Sequence, residues 1–342
     1  ELGHWLSGQL MSTDEGKKWE ELDRPYKYKD RYRAELKSGD ILQVYTPEAL
    51  DLSEYSSFPK PVNSETLYHR DFYKESELPD ELRGVYTSYL RKHSEEAKII
   101  HGEIDDPGLL RDAYDNQMSI MWWGDLKELS DGSIVAGVYP TFYQGTQGDV
   151  LNPAVSFYTT SDIGNHWKLL GVIRYQIDGK EPETFTYDGT EGFSEPAFEV
   201  LNDGTFFCVM RTGVAMYRSW SDDNGRHWSV PEAFTPNGVM PRLMLLENGV
   251  LVLASGRPGL QLRFNIDGDG HTWTEPIDML PFMNDNNELD YFVGCGYPDL
   301  LRVDNQTFYM VYSDFKSKNA NQEYRKSILF RKVEIIKRNT TH

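Results

Sequence analysis

The 342 residues carry a formal charge of −19 with 39% hydrophobic and 13% aromatic side chains, enough apolar material to bury a large core and to exclude a disordered chain. The acidic balance, with no run of Lys or Arg, excludes a surface built for nucleic acid or anionic membrane, and no apolar run approaches the roughly 20 residues of a membrane span, yet a few arginines can act inside a cleft. Cys208 and Cys295 are the only cysteines, too few for a disulfide framework or a zinc ribbon, and each lies in an apolar run that predicts a buried free thiol.

The chain opens at Glu1 without an initiator Met or a signal-peptide pattern, the expectation for a mature or trimmed product, secreted or periplasmic. Ser12 to Trp19 reads Ser-x-Asp-x-Gly-x-x-Trp, and Tyr32 to Gly39 follows as the start of a strand pair. The stretch from about 46 to 96 is long and polar and reads as an inserted loop region over one face; within it, Pro79 to His93 predicts a short helix with Pro in its first turn. Trp123 to Gly132 begins a second strand pair, and Thr160 to Trp167 repeats the octapeptide with Thr in first place. Glu195 to Arg211 forms a third pair around Asn202-Asp203-Gly204, and Ser221 to Trp228 is another copy of the octapeptide. Met240 to Arg257 is a fourth pair, Asn265 to Trp273 a copy with one extra residue, and Tyr297 to Ser313 a fifth pair.

Four copies of one turn motif establish a repeat architecture ahead of any residue-level reading. In each, Asp is suited to accept backbone N–H bonds, Gly to supply a positive φ, and Trp to cover the apolar underside of the turn. Antiparallel pairs with starts near 33, 123, 195, 240 and 297, plus the N-terminal copy, predict an all-β fold: a single six-bladed β-propeller domain over 1–342, built of four-stranded antiparallel blades. The first blade would be completed by strands from the other terminus or from residues outside this sequence.

From Ser12 to about Tyr312 these motifs resemble the sialidase (neuraminidase) superfamily, whose Asp-box (BNR) repeats they match. The resemblance implies an exo-acting glycoside hydrolase that removes a terminal acidic sugar through a Tyr nucleophile, a partner Glu, an Asp acid/base and three carboxylate-binding arginines. Glu195, with Arg211 sixteen residues on, matches the family's Glu and second arginine; Arg257 matches the third, and Tyr297 in Gly296-Tyr297-Pro298 the nucleophile. Arg33 is the counterpart of the first arginine, although it lacks the family's following Ile-Pro and stands one residue out of register, which reverses a strand face. Asp71 and Asp149 are the candidates for the acid/base, and Trp123 in the run Met121-Trp122-Trp123 for a sugar-stacking surface or for core. Arginine forks would hold a carboxylate bidentately and favour a phenolate.

The resemblance implies a glycan or oligosaccharide partner, no cofactor and no metal; the histidines show no metal-ligand spacing, and His166 and His227 belong to the turns. Two other functions stay open on the sequence: a non-catalytic propeller that binds glycan or protein, and a glycosidase or lyase acting on a different sugar. Oligomeric state is not readable from the sequence.

Overall fold

A computed structural model describes residues 10–14, 16–21, 32–45, 49–65, 69–94, 96–118, 123–176, 179–180, 192–213, 215–257, 259–280, 286 and 297–336. The fold is all-β. β1 (Leu10–Met11) and β2 (Glu20–Glu21) pair across the first octapeptide. β3 (Tyr32–Glu35) and β4 (Ile41–Tyr45) begin the first meander; β5 (Leu50–Asp51), β6 (Asn63–Glu65) and β7 (Arg70–Lys74) leave it. β8 (Val85–Leu90) and β9 (Ala97–Asp105) return to it, and β10 (Leu110–Tyr114) and β11 (Gln117–Met118) leave again. The departing strands make an accessory five-stranded sheet in the order β5-β11-β10-β7-β6.

Where Pro79 to His93 predicted a short helix, the chain makes only a 3-10 turn at Asp80–Leu82 and then runs into β8. The correction has a simple cause. Val85-Tyr86-Thr87-Ser88-Tyr89-Leu90 is rich in β-branched and aromatic residues that suit a pleated, half-buried surface, and Val85 and Thr87, two residues apart, are both buried.

The second meander is β12 (Trp123–Glu128), β13 (Ile134–Thr141), β14 (Ala154–Thr160) and β15 (His166–Ile173). The third is β16 (Ser194–Val200), β17 (Phe206–Arg211), β18 (Met216–Ser221) and β19 (Glu232–Thr235). The fourth is β20 (Val239–Leu245), β21 (Leu251–Gly256), β22 (Leu260–Asn265) and β23 (Ile277–Leu280), and the last has three strands, β24 (Asp299–Arg302), β25 (Thr307–Lys318) and β26 (Tyr324–Glu334). The five strand-pair starts expected from the sequence thus open five successive meanders, the first two of which share one eight-stranded sheet. Those two join through parallel pairing of β9 with β15, Trp167 opposite Ile104.

The first strands β3, β12, β16, β20 and β24 pack side by side in chain order. Polar bridges cross from one to the next: Lys37 N–H to Glu128 at 2.5 Å, Lys127 to Glu199, and Arg242 to Asp299 at 3.3 Å. Between the sheets lies the core. Phe157, Phe198, Phe206, Phe193 and Trp167 are fully buried, and each contributes about 1.5–3 kcal/mol through burial. Cys208 lies in this core as a free thiol whose pKa burial pushes well up; Cys295 lies outside the described residues. No described helix is long and apolar enough to cross a membrane.

The four turns share one bonding scheme. The first residue's side-chain oxygen accepts the Gly N–H, at 2.8 Å for Ser12, 3.0 Å for Thr160, 2.9 Å for Ser221 and 3.1 Å for Asn265. Asp14, Asp162, Asp223 and Asp269 each accept a later backbone N–H, and Trp19, Trp228 and Trp273 donate Nε1–H to the Gly carbonyl. Each turn also leans on the preceding sheet. Gly164 abuts Thr87 of β8, Trp228 stacks on Phe157 of β14 at 4.3 Å, and Trp273 meets Phe207 of β17 at 6.1 Å. By the same rule, the β1–β2 turn leans on the last sheet, with Trp19 5.7 Å from Phe330 of β26.

Candidate functional site

In an antiparallel meander the first strand begins, and the second ends, at one end of the sheet; the octapeptide turns occupy the other. Glu195, Met240 and Tyr297 all stand at the first end, each immediately before a proline. Proline has no N–H for a ladder and settles at a bulge. Ser194 pairs with Arg211 and Ala197 with Val209, so Glu195 and Pro196 bulge opposite Met210. Val239 pairs with Gly256 and Arg242 with Ala254, so Met240 and Pro241 do the same.

These bulges carry backbone strain. Glu195 has φ 49°, Met240 φ 46°, and Arg257, just past the end of β21, φ 41°, a region that costs a non-glycine residue about 1–3 kcal/mol and persists only where surroundings impose it. The surroundings are visible. Glu195 is 7% exposed; its Oε1 lies 3.1 Å from Nη1 of Arg211, the residue that ends β17, and its Oε2 accepts the Met240 N–H at 2.6 Å. One carboxylate therefore fastens the neighbouring strand of its own sheet and the strained bulge of the next.

Tyr297 is half-exposed, and the Arg257 guanidinium carbon lies 5.8 Å from its ring centre. Two residues further on, Asp299 receives Arg242 from β20. The structure thus brings Glu195 to Arg211 and Arg257 to Tyr297, on three consecutive sheets at one end. Arg33 is exposed on β3, in regular register opposite Gln43, and makes no ion pair among the described residues. Trp123 opens β12 opposite Tyr139; its side chain lies outside the described residues.

Asp71 and Asp149 come to a different part of this end. Asp71 lies on β7 of the accessory sheet, opposite Ala113 and Ser64, and accepts the Ser64 hydroxyl at 2.5 Å. Asp149 lies in the loop after β13, its carbonyl accepting the Gly145 N–H at 2.7 Å. Both flank a cluster of Phe72, Leu110, Phe142 and Val150 that seats the accessory sheet on that loop. Burial, then the Asp71 charge, push the Tyr73 phenol up. Beneath the accessory sheet, Arg111 and Glu75 form a buried pair at 2.5 Å, and Arg111 also donates to the Gly84 carbonyl.

Two groups escaped the sequence reading. Arg242 stands in the Met240-Pro241-Arg242 repeat of Glu195-Pro196-Ala197, and aligning the X-Pro pairs would have exposed it. Asp106 is buried and accepts from the Tyr143 and Tyr158 hydroxyls at 2.8 and 2.7 Å, while Tyr143 also meets Ser156 at 2.8 Å. Burial, reinforced by the Asp106 charge, pushes both phenols up, so they remain neutral donors. The Arg174 guanidinium lies 4.2 Å over the Tyr143 ring. Nothing local in Asp105-Asp106-Pro107-Gly108 announces this partner set, because its tyrosines come from the loop after β13 and from β14.

Residues 114–310 match the BNR repeat-like domain family, and the chain belongs to that family. Among solved structures, it is similar to a protein of unknown function from Dyadobacter fermentans, at 16% identity and TM-score 0.63 over 96% of this chain and 84% of that one. It is also similar to a point mutant of the NanB sialidase of Streptococcus pneumoniae, at 13% identity and TM-score 0.51 over 95% of this chain and 63% of that one. A third, a point mutant of the α-L-arabinofuranosidase arb93a of Fusarium graminearum, matches at 16% identity and TM-score 0.43 over 61% of each chain. No curated protein matches. At these identities the likeness is one of fold.

Proposed function

We propose that the protein is an exo-acting glycoside hydrolase of sialidase-like type, built on a six-bladed propeller, that removes a terminal acidic sugar from a glycan. The observation that carries this reading is the meeting of Arg257 with Tyr297, at 5.8 Å, at the end of the sheets where Arg211 holds Glu195 at 3.1 Å. A carboxylate held by Arg211 and Arg257, with Arg33 as the third fork, would bring its anomeric carbon to the Tyr297 oxygen. That oxygen forms the new bond to carbon as its proton passes to Glu195. The glycosidic bond breaks and the leaving oxygen takes a proton from Asp71 or Asp149; water then releases the sugar with retained configuration. The lean of each turn on the preceding sheet supports the six-bladed reading, with β1 and β2 as the outer strands of a unit next to β24–β26. Export to the periplasm or the outside suits such a substrate.

A second reading, glycan binding without catalysis, is favoured by one specific fact: both carboxylate oxygens of Glu195 are already engaged. Release of fluorophore from an aryl sialoside and an aryl arabinofuranoside, by the wild type and by Tyr297→Phe, separates the readings. We expect sialoside turnover that falls by roughly a hundredfold or more in the variant. Equal rates would reject Tyr297 as nucleophile; turnover of the arabinofuranoside alone would reject the acidic sugar. Glycan binding without turnover selects the second reading.

A further inference from the structure

β24 covers only a short part of its partner. Asp299 pairs with Val311, but β25 continues to Lys318 and stays paired with β26 as far as Tyr324. Since β25 runs toward the end of the sheet where Tyr297 lies, the seven residues past Val311 carry the hairpin roughly 20 Å beyond the level of Asp299. At its root the register shifts between Asp314 and Ser317, a bulge of the kind that kinks a strand locally.

The composition of the arm departs from that of the chain. Residues 316–326 hold four cations, Lys316, Lys318, Arg325 and Lys326, against one carboxylate, Glu323, in a protein of net charge −19. Glu323 pairs with Arg325 at 3.0 Å. Lys318 and Lys326 rest instead on aromatic rings, 5.1 Å from Tyr324 and 5.6 Å from Phe315. A ring fixes an ammonium without neutralising it, so the charge stays available to an anion. Lys318, Tyr324, Arg325 and Lys326 are all exposed, Tyr324 at 57%. Lysine also guards bare strand edges; here four cations against one carboxylate stand beside a sugar-sized aromatic face, a combination that suits an anionic partner.

We propose that this hairpin is a substrate arm that binds the anionic glycan beyond the sugar held at Tyr297, its ammonium groups meeting carboxylates and Tyr324 stacking on a pyranose face. The assignment rests on the glycosidase reading for its biological meaning, but its test reads binding. Colominic acid, a linear polysialic acid, serves as the probe in affinity electrophoresis of the full chain at low and high salt, beside neutral dextran and anionic phospholipid vesicles. Retardation by colominic acid should weaken at high salt, and combined Lys318→Gln, Arg325→Gln and Lys326→Gln should weaken it about tenfold at low salt. Turnover of a small aryl sialoside should be unchanged in that variant, as should its thermal midpoint. Undiminished retardation of the variant, equal retardation by dextran, or binding to vesicles alone would overturn the proposal. A wild type that is retarded but turns over nothing would leave the arm standing and remove the enzymatic reading.

Discussion

The Glu195–Arg211 pair gives the sharpest test of the strained end of the third sheet. With charges 3.1 Å apart, Coulomb attraction at an effective dielectric near 20 is about 5 kcal/mol. Arg211→Ala forfeits that attraction and leaves a buried carboxylate with the Met240 N–H as its remaining described partner. That hydrogen bond is common to wild type and variant, whereas water entering the truncated site screens part of the carboxylate's charge, so the expected loss of stability is about 3 kcal/mol, within the range for a broken buried pair. Glu195→Gln keeps an acceptor for Met240 and should cost less. The double variant Glu195→Gln/Arg211→Ala buries no charge and should lose less than the sum of its single changes, a coupling of about 2 kcal/mol. Urea unfolding followed by tryptophan fluorescence and far-UV circular dichroism, on condition that the two transitions coincide, measures all four corners. If Arg211→Ala costs under about 1 kcal/mol, or the single changes sum to the double within about 0.5 kcal/mol, the pair does not anchor the bulge.

Other outcomes follow from the same geometry. Phe157→Ala, which removes a fully buried ring stacked under Trp228, should cost about 3–5 kcal/mol in the same unfolding measurement. Tyr143→Phe removes one donor from buried Asp106 and should cost about 1–3 kcal/mol, whereas Tyr55→Phe, with its exposed bond to Glu81, should change stability little. Asp162 is pushed up by its partial burial but brought down to about 2 by hydrogen bonds from His166 and Thr160. A carboxyl lowered in the folded state stabilises above its unfolded pKa near 4 and loses that contribution as pH falls toward about 2. Acid unfolding of Asp162→Asn should therefore lack part of the slope between those values. His166, raised chiefly by its bond to Asp162, should titrate above its ordinary value in a proton NMR experiment and return toward it in Asp162→Asn.

The repeating part of the fold was legible because each octapeptide holds its own chemistry: the Ser, Asp, Gly and Trp that close the turn stand within eight residues, so a local pattern determines a local structure. The five sheet starts were legible for a related reason, since alternating strands joined by short polar turns, Asp131-Gly132, Asp203-Gly204 and Asn248-Gly249 among them, read in order. Residues 79–93 misled because a proline followed by acidic residues fits the first turn of a helix, while the strand that follows is selected by pairing with β4 and β9, far away in sequence. In the candidate site, Glu195, Arg211, Arg257 and Tyr297 were named as one cluster; two pairs of neighbours are found, Glu195 with Arg211 and Arg257 with Tyr297. The accessory sheet was not legible as a sheet, because its strands come from both sides of β8 and β9. Asp106 was hidden likewise: its significance lies in two tyrosines that reach it from the next sheet.

The parallel seam between β9 and β15 distinguishes the first two meanders from the others. A strand ladder ties those two into one sheet, whereas the third, fourth and fifth meet their neighbours through side chains and through single backbone bonds such as Phe193 N–H to the Pro153 carbonyl and Asn248 N–H to the Asn305 carbonyl. Solvent exchange of amide protons should accordingly divide the molecule. Amides of β14 and β8 should open together and late, as members of one cooperative block, while those of β25 and β26 open independently and early. A succession of sheets thus has one joint made by a strand ladder, and it adjoins the meander from which the accessory strands depart.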